Sequence, residues 1–226
     1  MRDYVATTRV ALAAKPGQPV SHEGPFYRLQ EFQVFTDAPS EPIPLYLAPS
    51  RPGMSSLAGE IADGVIFNVV HSLDWLRSML IPALEQGVAL AGRGRTDVKV
   101  GCLVLCAIAD SEEEAIELLR PGISFYFDVP YFDDLMAYHG FDEERCAAGV
   151  ARANGDREAL ARAVSDRIVR TVALAGTRDQ VSEQLCAYRD LVDWVLLCAP
   201  IGQPATIARE QSLRILSRFG ASQRLD

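Results

Sequence analysis

Residues 42–67 read PIPLYLAPSRPGMSSLAGEIADGVIF, and this stretch indicates the fold class. The apolar run 43–47 is bounded by prolines and predicts a short buried strand. Apolar residues at helical spacing follow, and Gly64 ends the predicted helix. The run VIFNVV over 65–70 then predicts a second strand, apolar on both faces. A strand–helix–strand order of this kind is typical of a parallel sheet.

The same alternation continues on both sides of this stretch. Pro82 should bend the helix that follows the second strand. A long segment over 112–190 is predicted to be helical, without strands. About four strand–helix units result, where a complete (β/α)₈ barrel needs eight, and no glycine-rich dinucleotide motif follows a strand. We therefore expect an α/β fold, a partial TIM (β/α)₈ barrel that forms one domain over 1–226 with a helical insertion at 112–190. The remaining predicted elements are helices over 2–14 and 73–91 and strands over 98–109 and 192–200.

Composition excludes several classes of protein. The chain has 226 residues, 49% of them hydrophobic, and a formal net charge of -8. Such an acidic chain lacks the basic face that nucleic acids and anionic membranes require, and no apolar run approaches a membrane-spanning length. Five cysteines without a C-x-x-C spacing and three separated histidines predict neither disulfides nor a metal site. We expect a cytoplasmic protein with a small-molecule substrate.

The loop between the first predicted strand and its helix is a candidate anion site. Backbone N–H groups at a helix N-terminus attract anions, and Arg51 adds a permanently charged fork. The alternative is an ordinary turn that carries a surface arginine. The candidate residues are Ala48, Pro49, Ser50, Arg51, Gly53 and Met54.

The end of the second predicted strand carries two further candidates. Asn68 is polar within an apolar run, and His71 is a residue type that binds anions or moves protons. Strand ends of this kind are where barrel enzymes place their chemistry. The alternative is that Asn68 caps a turn and that His71 merely precedes Ser72, the N-cap of the next helix.

Several motifs occur in an order that resembles the luciferase-like monooxygenase superfamily, and within it the F₄₂₀-dependent oxidoreductases. The stretch 42–67 is the first of them. The others are WLRSMLIPALEQGVALAGR at 75–93, the strand at 98–108 followed by EEE, FYFDVPYFDDLMAYHG at 125–140 and AGTRDQVSEQL at 175–185.

This resemblance implies a (β/α)₈ barrel that binds coenzyme F₄₂₀, or alternatively FMN, at the carboxyl ends of its strands. The loop at 48–54 would hold the cofactor phosphate, although relatives usually have Gly-Pro where this chain has Arg51 and Pro52. Asn68 and His71 would face the substrate. Tyr126 and Tyr131 would wall its pocket, unless these aromatics belong to the core or to a subunit interface. The resemblance assigns no catalytic residue here.

The expected activity is hydride transfer between F₄₂₀, or FMN, and a small organic substrate. Only the second half of the barrel matches, so the first four strands would lie before Met1. A half barrel has two open sheet edges, which invite pairing. The alternatives are therefore a non-catalytic flavin-binding protein, a half barrel that pairs in a homo-oligomer or with a partner chain, and a natural protein that is longer.

Overall fold

The structure is a computed structural model, and it describes residues 1–36, 41–126 and 132–220. Within these ranges no helix is long and apolar enough to cross a bilayer. The elements in chain order are α1 (Arg2–Leu12), β1 (Val20–Glu23), β2 (Arg28–Phe32), β3 (Tyr46–Leu47), α2 (Pro52–Ile61), β4 (Gly64–Phe67), α3 (Leu73–Trp75), a π-helical turn (Leu76–Leu80), α4 (Ile81–Leu90), a 3₁₀ turn (Arg95–Asp97), β5 (Lys99–Ile108), α5 (Glu112–Tyr126), α6 (Asp133–His139), α7 (Asp142–Ala153), α8 (Arg157–Arg162), α9 (Asp166–Val172), β6 (Ala173–Gly176), α10 (Arg178–Cys186), β7 (Trp194–Cys198) and α11 (Ala205–Phe219).

The four predicted strands form a parallel sheet in the order β3–β4–β5–β7, which confirms the α/β class. All four are shorter than the sequence predicts, and the reason is visible for β3 and β4. β3 keeps only Tyr46 and Leu47, because Pro44 has no N–H and Leu45 donates its own to the Asp63 carboxylate. β4 stops at Phe67, since the Asn68 side chain accepts the hydrogen bond from the Val69 backbone N–H.

A further short strand, β6, lies inside the segment that was predicted to contain none. Leu105 of β5 pairs with Ala173 of β6 and with Cys198 of β7. A strand residue pairs with one neighbour on each edge, so β6 lies on the edge of β5 that β4 also uses. The prediction of a strand-free segment over 112–190 is therefore wrong at Ala173–Gly176. Five helices, α5 to α9, make up most of the rest of its described residues.

Two glycines allow the sheet to curve. A Cβ atom on Gly64 would lie 2.2 Å from the ring of Tyr46, and one on Gly101 would lie 2.2 Å from the ring of Trp194. These rings belong to β3 and β7, the outermost strands, yet their centroids are only 6.4 Å apart. The rings meet over the two central strands because neither glycine has a side chain there. The sheet is thus curved as part of a (β/α)₈ barrel.

The outer face of the sheet is covered by helices, of which α2 and α4 matter most for the site. Their backbones cross closely, because a Cβ atom on Gly59 would lie 2.2 Å from the Leu84 carbonyl oxygen and one on Gly87 would lie 1.8 Å from that of Ser56. This crossing fixes α2 and therefore the loop at its N-terminus.

The helix predicted over 73–91 is interrupted rather than simply bent. The π-helical turn Leu76–Leu80 immediately precedes Ile81 and Pro82. A proline lacks an N–H donor and crowds the carbonyl four residues earlier, and a wider π-turn accommodates such a break. Ser72 is the N-cap of this region, as predicted, and its Oγ accepts a hydrogen bond from Trp75 N.

Candidate functional site

A small cavity lies at the carboxyl ends of β3 and β4, which is the edge where parallel α/β sheets hold ligands. Helix α6 covers it. The cavity measures only about 10 Å³, which is scarcely the space of one water molecule. Its wall brings together the predicted residues Pro49, Ser50, Asn68 and His71 with Phe132 and Leu135 from the α6 region.

The loop before α2 has the features of an anion site. Arg51 is the N-cap of α2 and has an extended backbone, but its side chain does not cap the helix. The N–H groups of a first helical turn lack intrahelical partners, and here no side chain from the N-cap satisfies them. Outside α2 itself, no described residue lies within 4 Å of where a Cβ of Gly53 would be, which leaves space beside these N–H groups.

The charge beside this loop is already paired. Arg51 Nε lies 3.0 Å from Oδ2 of Asp134 in α6, and both side chains are about half exposed. Among the other loop candidates, Ala48 is exposed and Met54 is half-buried on α2. Neither belongs to the wall of the small cavity. The loop thus presents a guanidinium and a helix N-terminus at the edge of the cavity.

His71 is buried and held in one orientation. Its Nδ1 contacts the carbonyl oxygen of Asn68 at 2.5 Å, so this nitrogen must donate the hydrogen bond. Burial lowers the pKa of His71 to about 4, against the smaller opposing effect of the bond to Asn68. The ring is therefore neutral near pH 7. Its edge-to-face neighbour is Tyr188, at 6.0 Å between centroids.

The second nitrogen of His71 is unsatisfied. Nε2 is buried and has no hydrogen-bond partner among the residues that the structure describes. In a neutral ring with the proton on Nδ1, this nitrogen is an acceptor. A buried acceptor without a partner is costly, and one in a cavity wall suits a ligand that brings an O–H or N–H donor. A neutral hydrogen-bond acceptor does not attract an anion. The structure therefore does not favour anion binding by His71, one of the two roles that its residue type suggests.

Asn68 has a structural task as well as a place at the cavity. Its Oδ1 accepts the Val69 N–H at 2.7 Å, as in a turn-capping side chain. Its carbonyl oxygen accepts the hydrogen bond from His71. Asn68 therefore orients the imidazole, and its half-buried side chain lines the cavity at the same time.

The aromatic candidate Tyr126 lies beside this wall rather than in it. Tyr126 is half-buried, with ring centroids 5.3 Å from Phe125 and 5.4 Å from Phe132. Phe132 is a residue of the cavity wall, so this ring contact joins Tyr126 to it. Tyr131 lies outside the residues that the structure describes, and its role as a pocket residue stays a prediction.

Sequence reasoning missed the contribution of α6. Phe132 and Leu135 are 3% exposed and close the cavity from the side of the insertion. The apolar spacing of 132, 135 and 136 marks a buried helix face, but nothing in that spacing tells which surface it covers. The pairing of Asp134 with Arg51 joins residues that are far apart in sequence, and no local pattern predicts it.

Comparisons with known proteins agree with this geometry. The family model for luciferase-like monooxygenases matches residues 1–193. An uncharacterized protein of Mycobacterium tuberculosis is 29% identical over 192 residues, which cover 82% of this chain and 56% of that protein. The 5,10-methylenetetrahydromethanopterin reductase of Methanopyrus kandleri is 26% identical over 205 residues, which cover 89% of this chain and 57% of the reductase.

A solved structure shows the same similarity in three dimensions. The coenzyme F₄₂₀-dependent tetrahydromethanopterin reductase from Methanopyrus kandleri has a TM-score of 0.72 and 25% sequence identity, over 91% of this chain and 59% of that one. The chain thus spans somewhat more than half the length of these relatives. The ordered motifs, the curved parallel sheet and the match to the family model lead to one assignment: the chain belongs to the luciferase-like monooxygenase family.

Proposed function

We propose that this chain takes part in hydride transfer between coenzyme F₄₂₀ and a small organic substrate. The observation that carries the proposal is that a cationic loop and a buried hydrogen-bond acceptor lie at the same edge of the sheet. The loop that carries Arg51 and the N-terminus of α2 lies beside a cavity into whose wall the buried, neutral His71 is built. The similarity to a reductase that depends on coenzyme F₄₂₀ supports this choice of cofactor.

The residues present fit such a cofactor. Arg51 and the first-turn N–H groups of Gly53 and Met54 would hold its phosphate, and Ala48, Pro49 and Ser50 would form the adjoining wall. The open space beside Gly53 leaves room for a phosphate near the backbone. When bound, F₄₂₀ supplies two-electron hydride chemistry.

The chain's own residues would then act on the substrate. Nε2 of His71 accepts a hydrogen bond, or a proton, from a donor group of the substrate, and Asn68 keeps the imidazole in this tautomer. Phe132 and Leu135 exclude water from the cavity. Tyr126 and Tyr131 would extend the apolar wall outward. FMN carries a phosphate too and is the alternative cofactor for the same loop.

Cofactor titration tests the proposal directly. We expect the chain to bind F₄₂₀ with micromolar or better affinity and FMN more weakly, as measured by fluorescence. Arg51→Ala should weaken binding roughly tenfold or more, because one charge-assisted hydrogen bond contributes about 1.5–3 kcal/mol. Arg157→Ala removes the same charge from α8 and serves as the control. Equal affinities for wild type and Arg51→Ala would remove Arg51 from the site, and tighter FMN binding would favour the flavin alternative.

A second candidate function has its own support, namely a half barrel that pairs with a second copy or with a complementary chain. On the concave face Leu196 is 51% exposed and Tyr46 36% exposed. Within the described residues, β3 pairs only with β4 and β7 only with β5, so each leaves one edge without a strand. This reading includes a non-catalytic protein, for which cofactor binding without substrate turnover would be the expected result.

A further inference from the structure

Helix α6 is held at its two ends by contacts of different kinds. At the C-terminal end, the Tyr138 ring packs on Trp75 at 5.2 Å and His139 Nε2 hydrogen-bonds with Ser72 Oγ at 2.7 Å. Arg167 also donates to the His139 carbonyl oxygen at 2.6 Å. The first two contacts tie this end of α6 to the segment that follows β4, and the third ties it to α9.

At the N-terminal end, two ion pairs join α6 to other described parts of the chain. Asp134 pairs with Arg51 at 3.0 Å, and Asp133 lies 3.8 Å from Arg145 of α7. The first of these connects α6 to the cofactor loop, whereas the second stays within the helical insertion. Both partners of the first pair are about half exposed, and exposed pairs of this kind are weak and sensitive to salt.

The covered cavity has no room for a ligand ring, because it measures only about 10 Å³. Phe132 and Leu135, which flank the Asp134 ion pair in sequence, fill the space from above. A ligand that occupies the cavity must therefore displace this end of α6. The guanidinium of Arg51, which would bind the phosphate, already forms an ion pair with Asp134. A carboxylate and a phosphate bind a guanidinium through the same N–H groups, so the two anions compete.

We propose that Asp134 is a latch: its carboxylate holds Arg51 and keeps α6 closed over the cavity until an anionic phosphate competes for the same guanidinium. This inference rests on the proposed function, since it takes the loop as the phosphate site. It adds a residue of the insertion to that site and makes opening a consequence of phosphate binding. The pivot is the C-terminal end of α6, where the contacts are aromatic and hydrogen-bonded rather than ionic.

The test compares Asp134→Asn with Asp133→Asn, which removes the same charge one residue away. The first readout is hydrogen–deuterium exchange of the α6 amides, which needs no cofactor. We expect faster exchange in Asp134→Asn than in wild type and Asp133→Asn. Millimolar inorganic phosphate should open wild-type α6 when compared with sodium chloride of equal ionic strength, and it should have little further effect on Asp134→Asn. Identical exchange in the two variants, or no effect of phosphate on wild type, would overturn the latch.

The second readout is the affinity for F₄₂₀. Loss of an exposed ion pair that competes with the ligand should strengthen binding by about fivefold in Asp134→Asn, and by clearly less in Asp133→Asn. An equal gain in both variants would mean general electrostatics and would contradict the latch. Failure of F₄₂₀ to bind to any of these proteins would instead count against the proposed function, while the exchange data would still decide on the latch.

Discussion

Burial keeps His71 neutral in the cavity wall, and among the described residues its Nε2 has no hydrogen-bond partner. The sequence indicates that a histidine follows the second strand, and the structure places it there. It does not indicate the tautomer, because that depends on a bond from Nδ1 to the backbone of Asn68 and on burial beneath α6. The bond joins residues only three apart, but it forms only if the chain turns in this way after β4. The burial is a consequence of tertiary packing, which a single sequence does not encode locally.

His71 should make the stability of the protein dependent on pH. Its pKa is about 4 in the folded protein and about 6.5 in the unfolded chain, so between these values the unfolded state binds more protons. Stability is therefore fully present above pH 6.5 and falls as the pH decreases toward 4, by about 3 kcal/mol in all.

Urea unfolding at several pH values tests this expectation. His71→Leu should lose most of the decrease between pH 6.5 and 4, whereas His22→Asn, which changes the β1–β2 hairpin, should retain it. The same pH dependence in His71→Leu and wild type would show that His71 is not the group that titrates.

At the scale of elements, the helix–strand order of the barrel segment is predictable from apolar spacing, whereas strand ends depend on particular side chains. Ala173–Gly176 forms a strand because it meets the free end of β5, not because its composition differs from that of a helix. The π-turn before Pro82 likewise replaces the simple bend that the sequence suggests. Such choices depend on neighbours that are distant in sequence.

The α2–α4 crossing should tolerate no added methyl group. Gly87→Ala would place a Cβ atom 1.8 Å from the Ser56 carbonyl oxygen, so the helices must separate, and overpacking of this kind costs about 1–3 kcal/mol or more. Gly149→Ala in α7 is the control, since nothing lies within 4 Å of its Cβ position. That change should stabilise by about 0.5–1 kcal/mol through helix propensity. Thermal unfolding tests this: the melting temperature of Gly87→Ala should lie well below that of Gly149→Ala. Equal melting temperatures would contradict the close crossing.

Two glutamine side chains form the pair of backbone hydrogen bonds that a neighbouring strand would otherwise form. The Gln211 amide accepts from Ile108 N at 3.0 Å and donates to Ile108 O at 3.1 Å, and Gln184 makes the corresponding pair of bonds with Ala175. Each side chain occupies a backbone edge that no described strand pairs with, and at Ile108 O the Arg214 guanidinium donates as well, at 3.2 Å. At these residues the edge is closed to further strand pairing.

Removal of one such amide should be costly. Gln211 is 3% exposed, and Gln211→Leu would take away its bonds to both backbone groups of Ile108. The expected loss of stability is about 2 kcal/mol or more. Gln86→Leu, on the exposed face of α4, should change stability by about 0.5 kcal/mol at most. Similar urea midpoints for the two variants would mean that water replaces the Gln211 amide at no cost.

At the scale of the whole molecule, the curvature of the sheet has a consequence for assembly. The rings of Tyr46 and Trp194 bridge one end of the concave face. Leu196, two residues after Trp194, lies on the same face because side chains alternate along a strand. That leucine is half exposed, and an apolar face of this kind marks an interaction surface. The outer edges of β3 and β7 lie at its two sides.

We expect this face to be buried against a second half barrel. In sedimentation velocity, the 24.7 kDa chain should form a species of about twice that mass as its concentration rises, because association covers the face and pairs the open edges. Leu196→Lys should shift the population toward the monomer, since burying an unpaired ammonium is costly. Leu213→Lys is the matched control, because Leu213 is 57% exposed on α11, away from the strands. A wild-type chain that stays monomeric would rule out pairing between copies. A dimer that dissociates equally in both variants would show that the contact lies elsewhere on the molecule.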